Sequence, residues 1–292
     1  MLHSLKRRST SVTRDDPPRW MARERGTGIC VPECSRAGLI RWIDYPELPL
    51  KANTCETVKC GRSSLVVRAE VPCGSGVLPV AYKRFRRRNL WKVVSGAFKP
   101  ARAARAWKLG RLLHERSIAT PRPIFAVLPR GFSRSVDSYL ATEWVDGVSL
   151  AETLLQPATA SDSQLFGRNG LLSKTIAGLL GRMHRAGFSH RDLKPGNIMI
   201  AGDDGDALLV DLDGASVRRR LGRRLRVRNL SRLFVGLPRE ASVASPLGAC
   251  FVQSYLRAAG DTGWHWRDCH RQLMLATQHR ASRRRHIRRR AA

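Results

Sequence analysis

The chain has 292 residues, of which 42% are apolar and 26% charged, and its formal net charge is +30. Those proportions exclude a wholly disordered chain, and no run approaches the roughly 18 apolar residues that a membrane-spanning helix requires. Of the 53 basic residues 44 are arginine. The excess fits an anionic partner such as nucleic acid, an acidic phospholipid surface or a phosphorylated glycolipid. It fits equally a skewed codon composition with the guanidinium groups on solvated faces. Seven cysteines are an odd number in a chain of this size, which argues against a disulfide framework and for a reducing compartment. Cys30-x3-Cys34 and Cys55-x4-Cys60 miss the usual zinc-ligand spacings. No apolar signal segment follows the basic start, Met1 to Arg8, so the chain reads as cytoplasmic.

Residues 1–37 mix charge, Pro17-Pro18 and scattered glycine without periodicity and read as an irregular leader. Structure is expected from Gly38. Two β-rich runs follow, Leu65–Val71 and Val77–Lys83, around the turn Pro72-Cys73-Gly74-Ser75-Gly76. Ala101 to Leu113 is helical by propensity, and Pro121 and Pro123 force an extended segment into Ile124–Val127. A further strand, Tyr139–Val145, breaks at Asp146-Gly147, the expected boundary between two lobes. Helices are then expected from Leu150, over Leu171–Ala186, and around Leu230–Leu237, Phe251–Leu256 and Gln272–Ala276. The chain closes on Arg283 to Arg290, read as a solvated basic tail.

One stretch carries chemistry: His190-Arg191-Asp192-Leu193-Lys194-Pro195-Gly196-Asn197, followed by the apolar run Ala207–Val210 and then Asp211-Leu212-Asp213. It places a carboxylate, an ammonium and a carboxamide on one loop and a second carboxylate after the next strand. Such a set can hold a metal-bound triphosphate beside an acceptor hydroxyl. Asp192 is expected to orient the hydroxyl and take its proton. Lys194 would neutralise charge on the migrating group, and Asn197 and Asp211 would supply oxygens to Mg²⁺. Lys83, ending Val80-Ala81-Tyr82-Lys83, is expected on the α- and β-phosphates of ATP. The small-residue turn Gly61-Arg62-Ser63-Ser64 is expected to bring backbone N–H groups over the phosphates, though it has one glycine where a Gly-rich loop has three.

The octapeptide has the order and spacing of the protein-kinase catalytic loop. More narrowly, the chain resembles the bacterial lipopolysaccharide kinases that phosphorylate Kdo (3-deoxy-D-manno-octulosonic acid) or heptose sugars. The likeness rests on Gly61–Ser64, Tyr82-Lys83-Arg84-Phe85, Ala106-Trp107, Ile118–Pro123, Glu143–Gly147, Val210–Asp213 and Arg228–Leu233, and spans about Gly38 to Met274. It implies a two-lobed α+β protein-kinase-like fold, with a small antiparallel β-rich lobe over 38–147, a mainly helical lobe over 148–276 and a basic tail over 277–292. It further implies ATP and Mg²⁺ as cofactors, hinge contacts to the nucleotide from Glu143 and Val145, a sugar or glycolipid acceptor and a location at the inner face of the cytoplasmic membrane.

Three departures stand out. The helix that should supply a glutamate to Lys83 reads Arg105-Ala106-Trp107, and Glu115 lies too far along it. Asp213 replaces the glycine expected after Asp211-Leu212, and no A-P-E segment follows. The alternatives are therefore a serine/threonine protein kinase, on the strength of the loop, and a pseudokinase or nucleic-acid-binding scaffold, on the missing acid and the arginine-rich ends. No feature of the sequence specifies an oligomeric state.

Overall fold

The alternating apolar residues of Leu65–Val71 and Leu78–Phe85 fold into a long hairpin, β4 (Ser64–Cys73) and β5 (Gly76–Phe85), in register from Ser64↔Phe85 to Cys73↔Gly76. The structure, a computed structural model, describes residues 18–291 apart from 25, 33, 53–54, 74–75, 87–99, 130–136, 156–161 and 203–204. The turn expected at Gly74-Ser75 thus lies outside the described residues, as do the first 17 residues of the expected leader.

The hairpin sits in a seven-stranded antiparallel sheet ordered β1-β2-β6-β7-β5-β4-β3. Its other strands are β1 (Arg19–Ala22), β2 (Gly26–Cys30), β3 (Glu56–Cys60), β6 (Pro123–Pro129) and β7 (Ser138–Glu143). The strands β1 and β2 correct the sequence reading, which placed Arg19–Cys30 in an irregular leader. They form a hairpin that extends the sheet beyond β6, with Gly26↔Pro129 through Cys30↔Phe125 in register. The glycines that signalled a loop serve packing instead. A Cβ on Gly28 would lie 2.6 Å from Ile43 Cδ1, so only glycine lets the helix α1 (Arg36–Asp44) approach this strand. Ser35 caps that helix by accepting from the Gly38 N–H at 3.5 Å.

Two faces of the sheet are covered. On one, Leu39 and Ile43 of α1 pack with Val67, Val80, Tyr82 and Phe125. On the other, Ala103, Ala106 and Trp107 of helix α3 (Arg102–Glu115) pack with Phe85, Ala126 and Leu140. Leu109 and Leu113 of α3 belong to a different core, shared with the helices that follow. Gly110 makes this double contact feasible: an added Cβ there would meet Pro123 Cγ at 2.5 Å. The short helix α2 (Leu48–Lys51) lies between α1 and β3.

Residues 144–146 lead from β7 into a three-stranded sheet of β8 (Gly147–Ser149), β10 (Ile198–Ala201) and β11 (Asp206–Leu209). Ser149 and Glu152 form a capping box on the one-turn helix α4 (Leu150–Thr153). The long helices α5 (Asp162–Arg185), α6 (Arg223–Phe234), α7 (Pro246–Ala259) and α8 (Trp266–Ala291) enclose the second core around Leu180, Met183, Leu230, Phe251 and Tyr255. The expected tail is also corrected: 277–291 continues α8 as helix. None of the described helices is both long and apolar enough to cross a membrane.

Within this core, His184 Nδ1 meets the Tyr255 hydroxyl at 2.8 Å. Burial, reinforced by the Arg226 guanidinium, lowers its pKa from 6.5 to about 3. A depressed folded-state pKa means that the unfolded chain binds the extra proton below 6.5, so stability is full above that pH and declines as pH falls toward 3. The slope is up to about 1.4 kcal/mol per pH unit. His190 is shifted the same way by burial and adds to it. In urea titrations between pH 7 and 5, His184→Phe is expected to have a shallower pH dependence than the wild type.

Candidate active site

The strand β9 (Phe188–His190) pairs with β12 (Ala215–Val217), His190 opposite Ala215. This pair places the 191–197 loop against the 211–214 turn, and the Arg191 N–H donates to Gly214 O at 2.9 Å. From the helix side, fully buried Asn229 on α6 accepts the His190 N–H on its Oδ1 at 2.6 Å, and its Nδ2 donates to Leu225 O at 3.0 Å. His190 itself joins the two loops. Its Nδ1 accepts the Asp192 N–H at 3.3 Å, so the proton resides on Nε2, which donates to Asp211 O at 3.0 Å. The lowered His190 pKa, set chiefly by burial, keeps the ring in this neutral form.

Asp192 lies open at the loop tip. Its carboxylate receives Lys194 Nζ at 2.9 Å and Asn197 Nδ2 at 3.3 Å. Asn197 Nδ2 also donates to Asp192 O at 2.7 Å, which leaves the carboxamide oxygen as the group able to meet a cation. The apolar run Ala207–Leu209 delivers Asp211 in the left-handed region, at φ 59° and ψ 61°. Among non-glycine residues such backbone is concentrated in Asp and Asn. A strained carboxylate held at a turn is a frequent property of functional sites.

Lys83 and Asp211 are brought together directly, at 2.5 Å. Burial favours the neutral acid, but the Lys83 ammonium outweighs it and holds the Asp211 carboxyl below its ordinary value. Strand alternation explains why Lys83 arrives there. Val80 and Tyr82 point into the α1 core, so Lys83 points to the opposite face, with Nζ 4.8 Å from the Phe85 ring centroid. The sequence reading left Lys83 without an acidic partner; in the structure its partner is Asp211. Glu115, the distant candidate, instead faces Arg111 at 3.8 Å.

The helix α3 is tied to the site by a device the sequence did not reveal. Arg102 places Nε 3.1 Å and a terminal nitrogen 2.7 Å from the two carboxylate oxygens of Asp213. Its other terminal nitrogen donates to Ser63 O at 2.9 Å, and its guanidinium lies 4.8 Å from the Phe85 ring centroid. Arg105 adds a bond to Asp213 O at 3.2 Å. One guanidinium thus connects the Gly61–Ser64 turn, α3 and the turn bearing Asp211. A kinase places an acid on the helix and the base on the strand; here the helix supplies the base, and Asp213 the acid. Losing a charge-assisted fork costs about 1.5–3 kcal/mol. Arg102→Gln is therefore expected to reduce kcat by about 10–100-fold and to raise the Mg²⁺ concentration at half-maximal rate, with partial recovery in Arg102→Lys. Magnesium titration of the initial rate checks this.

The Gly61–Ser64 turn is tied to this centre through Arg102. Ser63 and Ser64 lie where β3 turns into β4, and the Gly61 N–H donates to Ser64 O at 2.9 Å. Arg62 and Ser63 are exposed there. Glu143 ends β7 opposite Val80, three residues from Lys83, and the backbone of Val145 makes no hydrogen bond among the described residues. Two oxygen donors, Asp211 and Asn197, suit Mg²⁺, which is held by one or two carboxylates together with phosphate oxygens and water.

A family model described as the lipopolysaccharide kinase (Kdo/WaaP) family matches residues 75–244, a span that holds Lys83, the His190–Asn197 loop and Asp211. The chain belongs to that family. Membership makes it a kinase. The 3-deoxy-D-manno-octulosonic acid kinase of Stenotrophomonas maltophilia R551-3 is 30% identical over 205 residues, covering 67% of this chain and 75% of that protein. The corresponding kinase of strain K279a is 32% identical over 160 residues, 54% of this chain, and the chain spans only 59% of that protein's length. Among solved structures, "WaaP in complex with acyl carrier protein" superposes with a TM-score of 0.59 at 20% identity, covering 86% of this chain and 97% of that one. This likeness confirms the two-lobed α+β kinase-like fold.

Proposed function

We propose that this lipopolysaccharide-family kinase transfers the γ-phosphoryl group of ATP, with Mg²⁺, to a hydroxyl of a Kdo or heptose sugar in the lipopolysaccharide core. The observation that carries the reading is the joining of Asp192, Asn197 and Asp211 by His190 and Asn229 into one rigid unit, within a chain that matches the sugar-kinase family. Mg²⁺, when bound, would supply positive charge against that building on the phosphoryl group. Asp211 and Asn197 would hold the ion. Lys83 would exchange its bond to Asp211 for the nucleotide phosphates, and the Gly61–Ser64 turn would lie over them. The adenine would meet the Glu143–Val145 segment. Asp192 would orient the acceptor hydroxyl and take its proton, and Lys194 would compensate charge on the group in flight.

The acceptor belongs to a glycolipid, which places the working enzyme at the cytoplasmic face of a membrane. Incubation with labelled ATP and, side by side, core glycolipid, an aminoglycoside and a protein substrate tests the reading. Label on the sugar supports it. Label on protein alone would favour the serine/threonine kinase that the HRD loop also suggests, and label on none would favour a pseudokinase or scaffold.

A further inference from the structure

The strand β3 pairs with β4 in a register that slips by one residue. Thr57 lies opposite Val67, but Lys59 lies opposite Val66. Val58 is the extra residue of a β-bulge, and a bulge re-aims the side chains that follow it. Without it Lys59 would stand opposite Leu65, which packs against the α1 core. With it Lys59 joins the other face of the sheet. Val66 is in turn paired with Lys83 on β5, so Lys59, Val66 and Lys83 form one row across three strands. At about 4.8 Å per strand, the two lysine backbones are about 10 Å apart. Their flexible four-carbon stems can close that gap around one polyphosphate.

The charges point the same way. Burial raises the Asp211 carboxyl, and Lys83 and then Lys59 hold it down, so the Lys59 ammonium is felt at the metal-binding carboxylate. Lys59 is exposed and has no ion-pair partner among the described residues. Glu56, the one acid on its strand, lies opposite Arg68. Lys83, by contrast, is committed to Asp211 and must leave it to reach a nucleotide. The turn that follows Lys59 also calls for added charge. It has Arg62 and Ser63 after its single glycine, so its backbone approaches phosphate less closely than a Gly-rich loop does. An uncommitted ammonium on the adjoining strand supplies what that turn lacks.

We propose that Lys59 is a second phosphate-binding residue of this kinase, gripping the polyphosphate of the nucleotide from β3 while Lys83 grips it from β5. The proposal deepens the ATP-dependent reading above and rests on it. Its consequence is selective: the ammonium meets phosphate, and contributes nothing to adenine or ribose.

Calorimetric titration with Mg²⁺-ATP and with adenosine tests this on the full chain. Three proteins are compared: the wild type, Lys59→Gln, and Lys51→Gln as a control for lost charge, Lys51 being an exposed lysine at the end of α2. Lys59→Gln is expected to weaken ATP about tenfold, the scale of one charge-assisted bond, and to keep adenosine within about twofold. Lys51→Gln should match the wild type for both ligands. Retained adenosine binding shows that the variant is folded around an intact base site. A wild type that binds ATP and a Lys59→Gln variant that binds it equally well would overturn the proposal alone. Equal losses for ATP and adenosine, or the same loss of ATP in Lys51→Gln, would overturn it too. A wild type that binds neither ligand would instead overturn the ATP-dependent reading, and the proposal with it. The titration needs no acceptor, so it decides the role of Lys59 whatever the acceptor screen labels.

Discussion

Asp192→Asn is expected to lower kcat by about 10²–10⁴-fold, the range supplied by a positioned general base. ATP affinity in the presence of Mg²⁺ should remain within about twofold, because the lost interaction belongs to the acceptor side of the reaction. The geometry supports this separation. Asp192 is more than half exposed, and among the described residues its carboxylate contacts only Lys194 and Asn197. The loop's attachment runs through other atoms: the Asp192 N–H to His190, the Asp192 carbonyl to Asn197 and the His190 N–H to Asn229. An isosteric amide keeps all three. Single-turnover kinetics together with calorimetric titration of nucleotide measure both quantities, and parallel losses in the two would contradict the assignment.

Asp211→Asn should act on the other side. The expected result is a loss of Mg²⁺-dependent ATP binding of at least about 10–100-fold, the scale on which even supporting partners of a metal matter. Asparagine adopts the left-handed backbone nearly as readily as aspartate, so the effect isolates charge from conformation. Stability should fall as well, by about 1–3 kcal/mol, because Lys83, only 13% exposed, keeps its ammonium without a counter-charge. The pH dependence has a definite sign. Since Lys83 depresses the Asp211 pKa against the opposing effect of burial, the ion pair contributes fully above the ordinary carboxylate range. Its contribution disappears only as pH falls through the depressed value. Denaturation midpoints of wild type and variant should therefore differ at neutral pH and converge in acid.

Much of this centre was legible in the amino-acid sequence because it is local. His190 to Asn197 is one uninterrupted loop, and Asp211 follows one short strand later, so spacing alone joins them. The Val80-Ala81-Tyr82-Lys83 pattern likewise marked Lys83. Two classes of residue escaped. Arg102 is one of 44 arginines, and nothing near it in sequence distinguishes it from the solvated ones. Its partners, Ser63 and Asp213, are 39 and 111 positions away. The departure noted at Asp213 was the available signal, since an acid in place of an expected glycine requires a basic partner. Asn229 was quoted within a motif, yet its role depends on α6 packing beneath β9, which no local pattern encodes. The first strands were missed for the opposite reason. Their glycines look like loop formers, whereas Gly28 is set by the nearness of Ile43.

The helix that bears Arg102 also bears on how such an enzyme can be governed. Trp107 lies in the core of the large sheet and Leu113 in the core of the helical half, and between them Gly110 touches Pro123. Swinging this helix outward would strip apolar surface from both halves at once and cut the fork to Asp213. The helix is thus held from both sides, and moving it would cost burial in two cores at once.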